Sequence, residues 1–447
     1  MLGRDLLLCC LPLTAWVVGA SLAPPVYAAA PANDVFLSPT ALAAANDHRS
    51  LFVACASANR VLRLDLQTKA VIQTIKLPAS PSGVALSEEG SKLFVTCAAP
   101  ESWVCVVNVA QGKIVERIHA GHTAMAPVLC PDNRTLLACN RFNNDVSVID
   151  LKTGKETGRI AVRREPVAAT LANHGKYLLV ANRLPAGRAD ADTVSAVVSV
   201  VDWSAGRVVK ELPLLDGSAS SNDLQASPDG RYALVTHLVS RYHLPATEIE
   251  RGWRNVNAFT VIDLAQLKIL NTVLLDEMDQ GAGNPWGIAW SADRRTVLVT
   301  HAGTHEISVI NFPSLLAKLA SLPPALSQPL LTDYGTAARV HADVPNDLTF
   351  LRSLRQRIQL ATTDRGPRAA VMIGNRFYVA NYFSDTLTAF DVLPGLSPPE
   401  SIPLGPKHEL SLARQGELYF NDASLCRQGW QSCATCHPGD ARVDALN

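Results

Sequence analysis

Leu51-Phe52-Val53-Ala54-Cys55 and Leu93-Phe94-Val95-Thr96-Cys97 are one short strand written twice, 42 residues apart. Further copies lie at 136–140, 178–182, 233–237, 297–301 and 377–381, where apolar runs close on Asn140, Asn182, His237, His301 and Asn381. About ten residues after most copies a second run ends in an acid or amide, as at Asp65, Asp150, Asp263 and Asn311, and a third run follows. A fourth run opens after proline and closes before a polar turn, as in Pro81-Ser82-Gly83-Val84-Ala85-Leu86-Ser87 and Pro285-Trp286-Gly287-Ile288-Ala289-Trp290-Ser291. Four short strands recurring every 42 to 43 residues in the early copies predict an all-β fold, a β-propeller. Seven copies predict seven blades of four antiparallel strands. A stacked solenoid is the rival arrangement, but seven four-stranded units close naturally into a ring. Residues 39–45 supply the first innermost strand, so every blade is expected to be one contiguous piece of chain.

These segments resemble the YVTN β-propeller repeat family over about residues 34–405, with degenerate tetrapeptides such as Val53-Ala54-Cys55 and Val379-Ala380-Asn381.

Beyond the repeats stands Cys433-Ala434-Thr435-Cys436-His437, a C-x-x-C-H sequence with the spacing of c-type haem attachment. One helical turn holds both sulfurs on one edge of the macrocycle, and the next residue brings its imidazole to the iron. Cys433 and Cys436 are therefore the expected covalent haem c sites, and His437 the proximal iron ligand. A zinc site needs a second ligand pair, and a thioredoxin-like dithiol needs a βαβ setting; neither is nearby. The stretch 412–438 is similar to the start of a cytochrome c domain of the di-haem cytochrome c peroxidase type. That resemblance implies redox work, and gives a third segment, 408–447, as the N-terminal, helical part of a c-type cytochrome domain. Residues 438–447 contain no His or Met, so the sixth iron ligand is not visible and the domain reads as truncated.

At the other end, Arg4, an apolar run over 6–23 and Ala28-Ala29-Ala30 read as a secretory signal over 1–30. Pro12 and Pro24-Pro25 favour cleavage over a stable span, so no membrane span is expected after processing, and the location is periplasmic or secreted. Cys55, Cys97, Cys105, Cys130 and Cys139 fall in strand-like runs and read as small buried hydrophobes, with a Cys97–Cys105 bridge as the alternative for that pair. A hydrophobic content of 48% and zero formal net charge describe a globular chain with a large core and give no nucleic-acid surface. No G-x-S-x-G, H-E-x-x-H or phosphate-binding glycine loop is present, which leaves redox chemistry as the leading class.

In a blade of this order the second strand ends where the fourth ends and the next blade begins. The seven closing residues Cys55, Cys97, Asn140, Asn182, His237, His301 and Asn381 are thus expected in a ring on one face, beside the tail. His237 and His301 in adjacent blades, with Met278 in the nearby loop, are candidates for a divalent-ion or copper site, a pocket lining or a distal iron ligand; the alternative is that they cap strand ends. Trp253 and Trp286 on that face read as packing, and His408 sits at the junction, where an approach to the haem is the lesser of its readings. The insert 312–355 of blade six is expected on the opposite face, as a loop ending in a short helix capped by Asn346.

Three functions follow. The first is an exported haem protein for electron transfer, with a redox partner protein or small-molecule donor or acceptor and a peroxidase-like oxidoreductase activity. The others are a non-catalytic propeller binding module, and a propeller metal-site oxidoreductase using the haem as electron acceptor.

Overall fold

Every blade is four consecutive strands paired antiparallel in chain order, and seven such sheets form the β-propeller. The structure, a computed structural model, describes residues 36–447 apart from 246, 248–251, 325–336, 393–397, 440–441 and 443–447. The expected signal segment 1–30 lies outside the described residues. Blade one comprises Pro39–Ala44, Ser50–Cys55, Arg60–Asp65 and Ala70–Lys76, so its innermost strand comes from the same contiguous segment as the other three.

Blades stack face to face, so their middle strands lose the usual in-out alternation. Ser50–Cys55 is buried at every position, which is why Leu51, Phe52 and Val53 can be apolar on both sides. The outermost strand Ala70–Lys76 keeps one wet face and reads alternately polar. Core clusters lie between neighbouring blades. The ring closes in this way, with Leu51, Val53 and Leu62 of blade one packed on Ala380 and Leu387 of blade seven. At that seam Asp385 accepts the backbone N–H groups of Leu37 and Ser38 at 3.0 and 2.8 Å.

The recurring acid or amide at the end of the third strand makes the turn into the fourth. Asp65 accepts from the N–H groups of Gln67 and Thr68, Asp150 from Lys152, and Asp263 from Gln266, an Asx turn in each case. In blade six the same position starts a helix instead. Asn311 accepts from Ser314 N–H at 3.0 Å and Pro313 follows in the first turn, so Phe312–Ser321 is helical.

The insert differs from expectation in two ways. Asn346 is the last residue of the 3₁₀ turn His341–Asn346, not its N-cap, and the turn packs along the outer strand Lys268–Leu274 of blade five, where His341 O accepts from Asn271 Nδ2 at 2.9 Å. The insert also does not stay on the far face. Arg241, just past the second strand of blade five, donates to Asn346 Oδ1 at 2.9 Å and to Pro345 O at 3.0 Å.

The five core cysteines are buried and unbonded. Cys97 and Cys105 place their sulfurs 3.7 Å apart as thiols, and their mutual hydrogen bond and burial keep Cys97 protonated. The tail consists of a helix Leu412–Asn421, capped by Ser411, two 3₁₀ turns, Ala423–Leu425 and Arg427–Gly429, and the four-residue helix Cys433–Cys436.

Candidate functional site

Trp430 anchors the tail on the propeller. It is 3% exposed and packs with Val239, Val256, Ala258 and Leu274 of blade five. Of these, Val239 and Val256 belong to rungs of strand pairing beyond the closing residue His237: Leu238, Val239 and Ser240 pair with Asn257, Val256 and Asn255. Apolar Val239 and Val256 remain in sheet register there because the tail covers them. Two glycines admit Trp430, Gly252 beneath its indole and Gly281 against its main chain. A Cβ on Gly252, which lies at φ +76°, or on Gly281 would collide with Trp430.

A polar network extends beneath it. Asp276 is buried, and burial pushes its carboxyl up to about 6 against the hydrogen bonds it receives from Asn257 N–H, Asn257 Nδ2 and Ala282 N–H. Asn257 Nδ2 also donates to Trp430 O, and Asn257 Oδ1 accepts from Asn284 N–H at 3.0 Å. Asn284 stands at φ +56° immediately before Pro285, and it reaches the C-x-x-C-H turn directly: its Nδ2 donates to Ser432 Oγ at 2.7 Å, and its Oδ1 accepts from Thr435 Oγ1 at 2.9 Å. Backbone bonds from Ala423 to Gly303 O and from Gly281 to Gln428 O complete the seam, and His305 Nε2 lies 3.3 Å from Asp422 Oδ2.

This docking leaves a cavity of about 560 Å³ between the tail and the mouth of the central channel. From the tail it is lined by Phe420, Ala434 and His437, among others. Cys433 is exposed and Cys436 half-buried on the same short helix, neither in a disulfide, and Asn255 Nδ2 donates to Cys436 Sγ at 3.6 Å. The His437 Nδ1 atom is buried and has no hydrogen-bond partner.

The expected ring of strand-closing residues is a structural pin instead. All seven are buried, and their side chains turn into their own blade. Asn140, Asn182 and Asn381 donate to hydroxyls of Ser147, Ser199 and Thr388 in the third strand. His237 and His301 do the same work: their Nε2 atoms lie 2.8 Å from Thr260 Oγ1 and Ser308 Oγ. Burial lowers the His237 pKa to about 4 and drives His301 well below its ordinary value, so both rings stay neutral. Met278 is exposed on its loop, and no group of three metal-ligating side chains occurs among the described residues. Each imidazole is thus engaged within its own blade, and Met278 stands on an exposed loop.

In six of the seven blades the residue after the closing position faces the cavity, because side chains alternate along a strand. Ala56, Ala98, Arg141, Arg183, Leu238 and Tyr382 all line it, joined by Trp286 and Arg368 from inner-strand starts. Arg183 and Arg368 stack on Trp286, with Cζ 6.0 and 4.4 Å from a ring centroid. Trp286 is thus a cavity wall, whereas Trp253 packs under Arg241, whose Cζ lies 3.9 Å from a ring centroid. His408 packs edge-on against Phe36 and does not line the cavity. Arg141, Arg183 and Arg368 carried no signal in the motif search, although reading one residue past each repeat finds the first two.

Fold and site together define a seven-bladed β-propeller whose central mouth is capped by a tail bearing C-x-x-C-H. No protein-family model matches the chain. Subunit beta of hydrazine synthase from Kuenenia stuttgartiensis is 27% identical to it over 202 residues, 44% of this chain and 48% of that subunit, so the chain spans about half the length of this curated relative. Among solved structures, Kuenenia stuttgartiensis hydrazine synthase superposes with a TM-score of 0.69 at 21% identity, covering 84% of this chain and 99% of that one. The Cps50 (Swd1) β-propeller domain of Myceliophteria thermophila gives 0.55 at 12% identity, over 80% and 97%. At these identities the structural likeness speaks for the fold.

Proposed function

We propose that this chain is an exported c-type haem protein, the propeller subunit of a redox assembly, which passes electrons through a haem held on its tail. One juxtaposition supports the reading. Two thiols, neither in a disulfide, sit one helical turn apart, and the adjoining His437, whose Nδ1 has no hydrogen-bond partner, lines a cofactor-sized cavity. Cys433 and Cys436 would hold the haem by thioether bonds and His437 would be the proximal ligand, the group supplying one-electron chemistry. The propeller acts as platform: Asn284 and Thr435 orient the attachment turn, and Trp430 keeps water from beneath it. The similarity to a hydrazine synthase subunit beta supports placing the chain among partner subunits, which supply electron donor or acceptor outside the cytoplasm.

The test is expression of the whole chain, with its N-terminal segment, in a periplasm equipped for c-haem maturation, followed by intact mass and visible spectrum. The added mass of one covalent haem, lost in C433A/C436A, is expected. A folded, processed chain without that mass overturns the reading.

A further inference from the structure

We propose that Met125, on the wall of the central cavity, is the second axial ligand of the haem iron, opposite His437. The inference rests on the proposed function and adds to it a role for the propeller in the iron's own coordination. The cavity narrows the choice of ligand. Among the described residues that line it, His437 brings an imidazole and Met125 a thioether, and no other His, Met, Cys or Lys is present. Imidazoles elsewhere on this face are engaged: His237 and His301 bond within their own blades, and His305 Nε2 faces Asp422 Oδ2 at 3.3 Å. The Tyr382 ring carries the guanidinium groups of Arg368 and Arg414, with Cζ 3.5 and 4.6 Å from its centroid.

Met125 is the second residue of the inner strand Ala124–Leu129 of blade three, the position that Trp286 holds in blade six and Arg368 in blade seven, and all three line the cavity. A bulge sets its direction. Met125 pairs with Cys139, and the register shifts before Val128 pairs with Leu137. Within the bulge Ala126 takes φ +46°, a conformation unfavourable for a residue with a Cβ. Gly83 of blade two makes room for it, since a Cβ there would meet Pro127 Cδ and Ala126 N. Ala126 and Val128 pack on the core between blades three and four, whereas Met125 is half-buried on the cavity wall. The tail reaches the same blade just after His437. A Cβ on Gly439 would meet a guanidinium nitrogen of Arg141, whose backbone N–H donates to Thr123 O, two residues before Met125. A thioether suits this place: it is uncharged, needs no deprotonation to bind a metal, and hangs on a flexible stem that can adjust while the strand stays fixed. Methionine opposite histidine raises the potential of a c-type haem, so the propeller would set the driving force of the electron transfer.

The test is the visible spectrum and reduction potential of the full chain matured with haem, beside M125L, M125H and Y382F matured in the same way, with intact mass reporting attachment in each. The parent should be low-spin and show the weak far-red band of methionine sulfur on ferric haem. M125L should keep the haem mass, lose that band and fall in potential. M125H should return a low-spin spectrum at a potential below that of the parent, and Y382F should match the parent. If M125L does not fold, M125H carries the same comparison. A haem-loaded parent without the methionine band, or a parent spectrum retained in M125L or M125H, overturns the inference and leaves the proposed function standing. A folded chain without the haem mass overturns both, so the mass tells the two failures apart.

Discussion

The Thr435 hydroxyl donates to Asn284 Oδ1 across 2.9 Å, tying the middle of the C-x-x-C-H turn to the residue that opens the inner strand of blade six. The attachment turn is only four residues long, too short to hold itself as a helix in water. Its conformation is lent by the propeller.

Asn284→Ala should therefore release the tail rather than unfold the ring. It strands the Thr435 and Ser432 hydroxyls, at about 1–3 kcal/mol for each buried group left unmatched. Trypsin cleavage at Arg427 should accelerate several-fold while the main thermal transition moves little. Unchanged cleavage would show that the network does not hold the tail.

Trp430→Ala removes the largest apolar contact of the tail, and a truncation of this kind costs about 3–5 kcal/mol. The loss should appear as faster exchange of the Gly281 backbone amide, which donates to Gln428 O. Gly281→Val should reproduce it from the other side, since any Cβ there meets Trp430. Slow exchange in both variants would contradict the assignment of Trp430 as anchor.

Acid should undock the tail in a defined window. Burial pushes the Asp422 carboxyl up, but hydrogen bonds from His305 and Ser424 outweigh it and hold the group down at about 2. A carboxyl depressed in the folded state contributes stability that is complete above about pH 4, its ordinary range, and is lost as pH falls towards 2. Gly366 N–H donates to His305 Nδ1, which leaves Nε2 as the protonated nitrogen facing Asp422. Tail release followed by proteolysis should rise between pH 4 and 2, and Asp422→Asn should flatten that rise. A rise that persists in the variant would sink the idea.

His237 predicts a second, higher window in the stability of the ring itself. Its pKa falls from 6.5 to about 4 on burial, so the unfolded chain binds a proton that the folded chain refuses. Stability is full above pH 6.5 and declines as pH drops towards 4, by on the order of 3 kcal/mol. Asn occupies the matching position in blades three, four and seven and makes the same bond to a third-strand hydroxyl. His237→Asn should keep stability at pH 7 within about 1 kcal/mol and reduce the slope of denaturant midpoint against pH between 6.5 and 4. An unchanged slope would show that the imidazole is not the group responsible.

The blades were legible because Leu51, Leu93 and their counterparts repeat a pattern whose period a ring imposes. The closing residues were harder. His237 and His301 invite a metal reading from sequence because nothing local shows that Thr260 and Ser308 lie across the hairpin, each within reach of a ring nitrogen. Arg141 and Arg183 were missed by one position, the difference between a side chain inside the blade and one in the cavity. Asn257, Asn284 and Trp430 could not be found from spacing at all, since their roles exist only once residues more than a hundred positions apart meet. The rungs at Val239 and Val256 are hidden in the sequence for the same reason: what covers them is Trp430, not their neighbours.

Because every blade is contiguous, no strand from one end of the chain completes a sheet begun at the other. The only seam without a covalent neighbour, between blades one and seven, is bridged by Asp385 and then by Arg414 of the tail helix, which donates to Ser38 Oγ at 2.8 Å and to Tyr382 O at 2.7 Å. The tail is thus the clasp of an otherwise open hoop. Tension applied to it would be felt first as a gap between the first and last blades, so whatever partner grips the tail also holds the fastening of the whole ring.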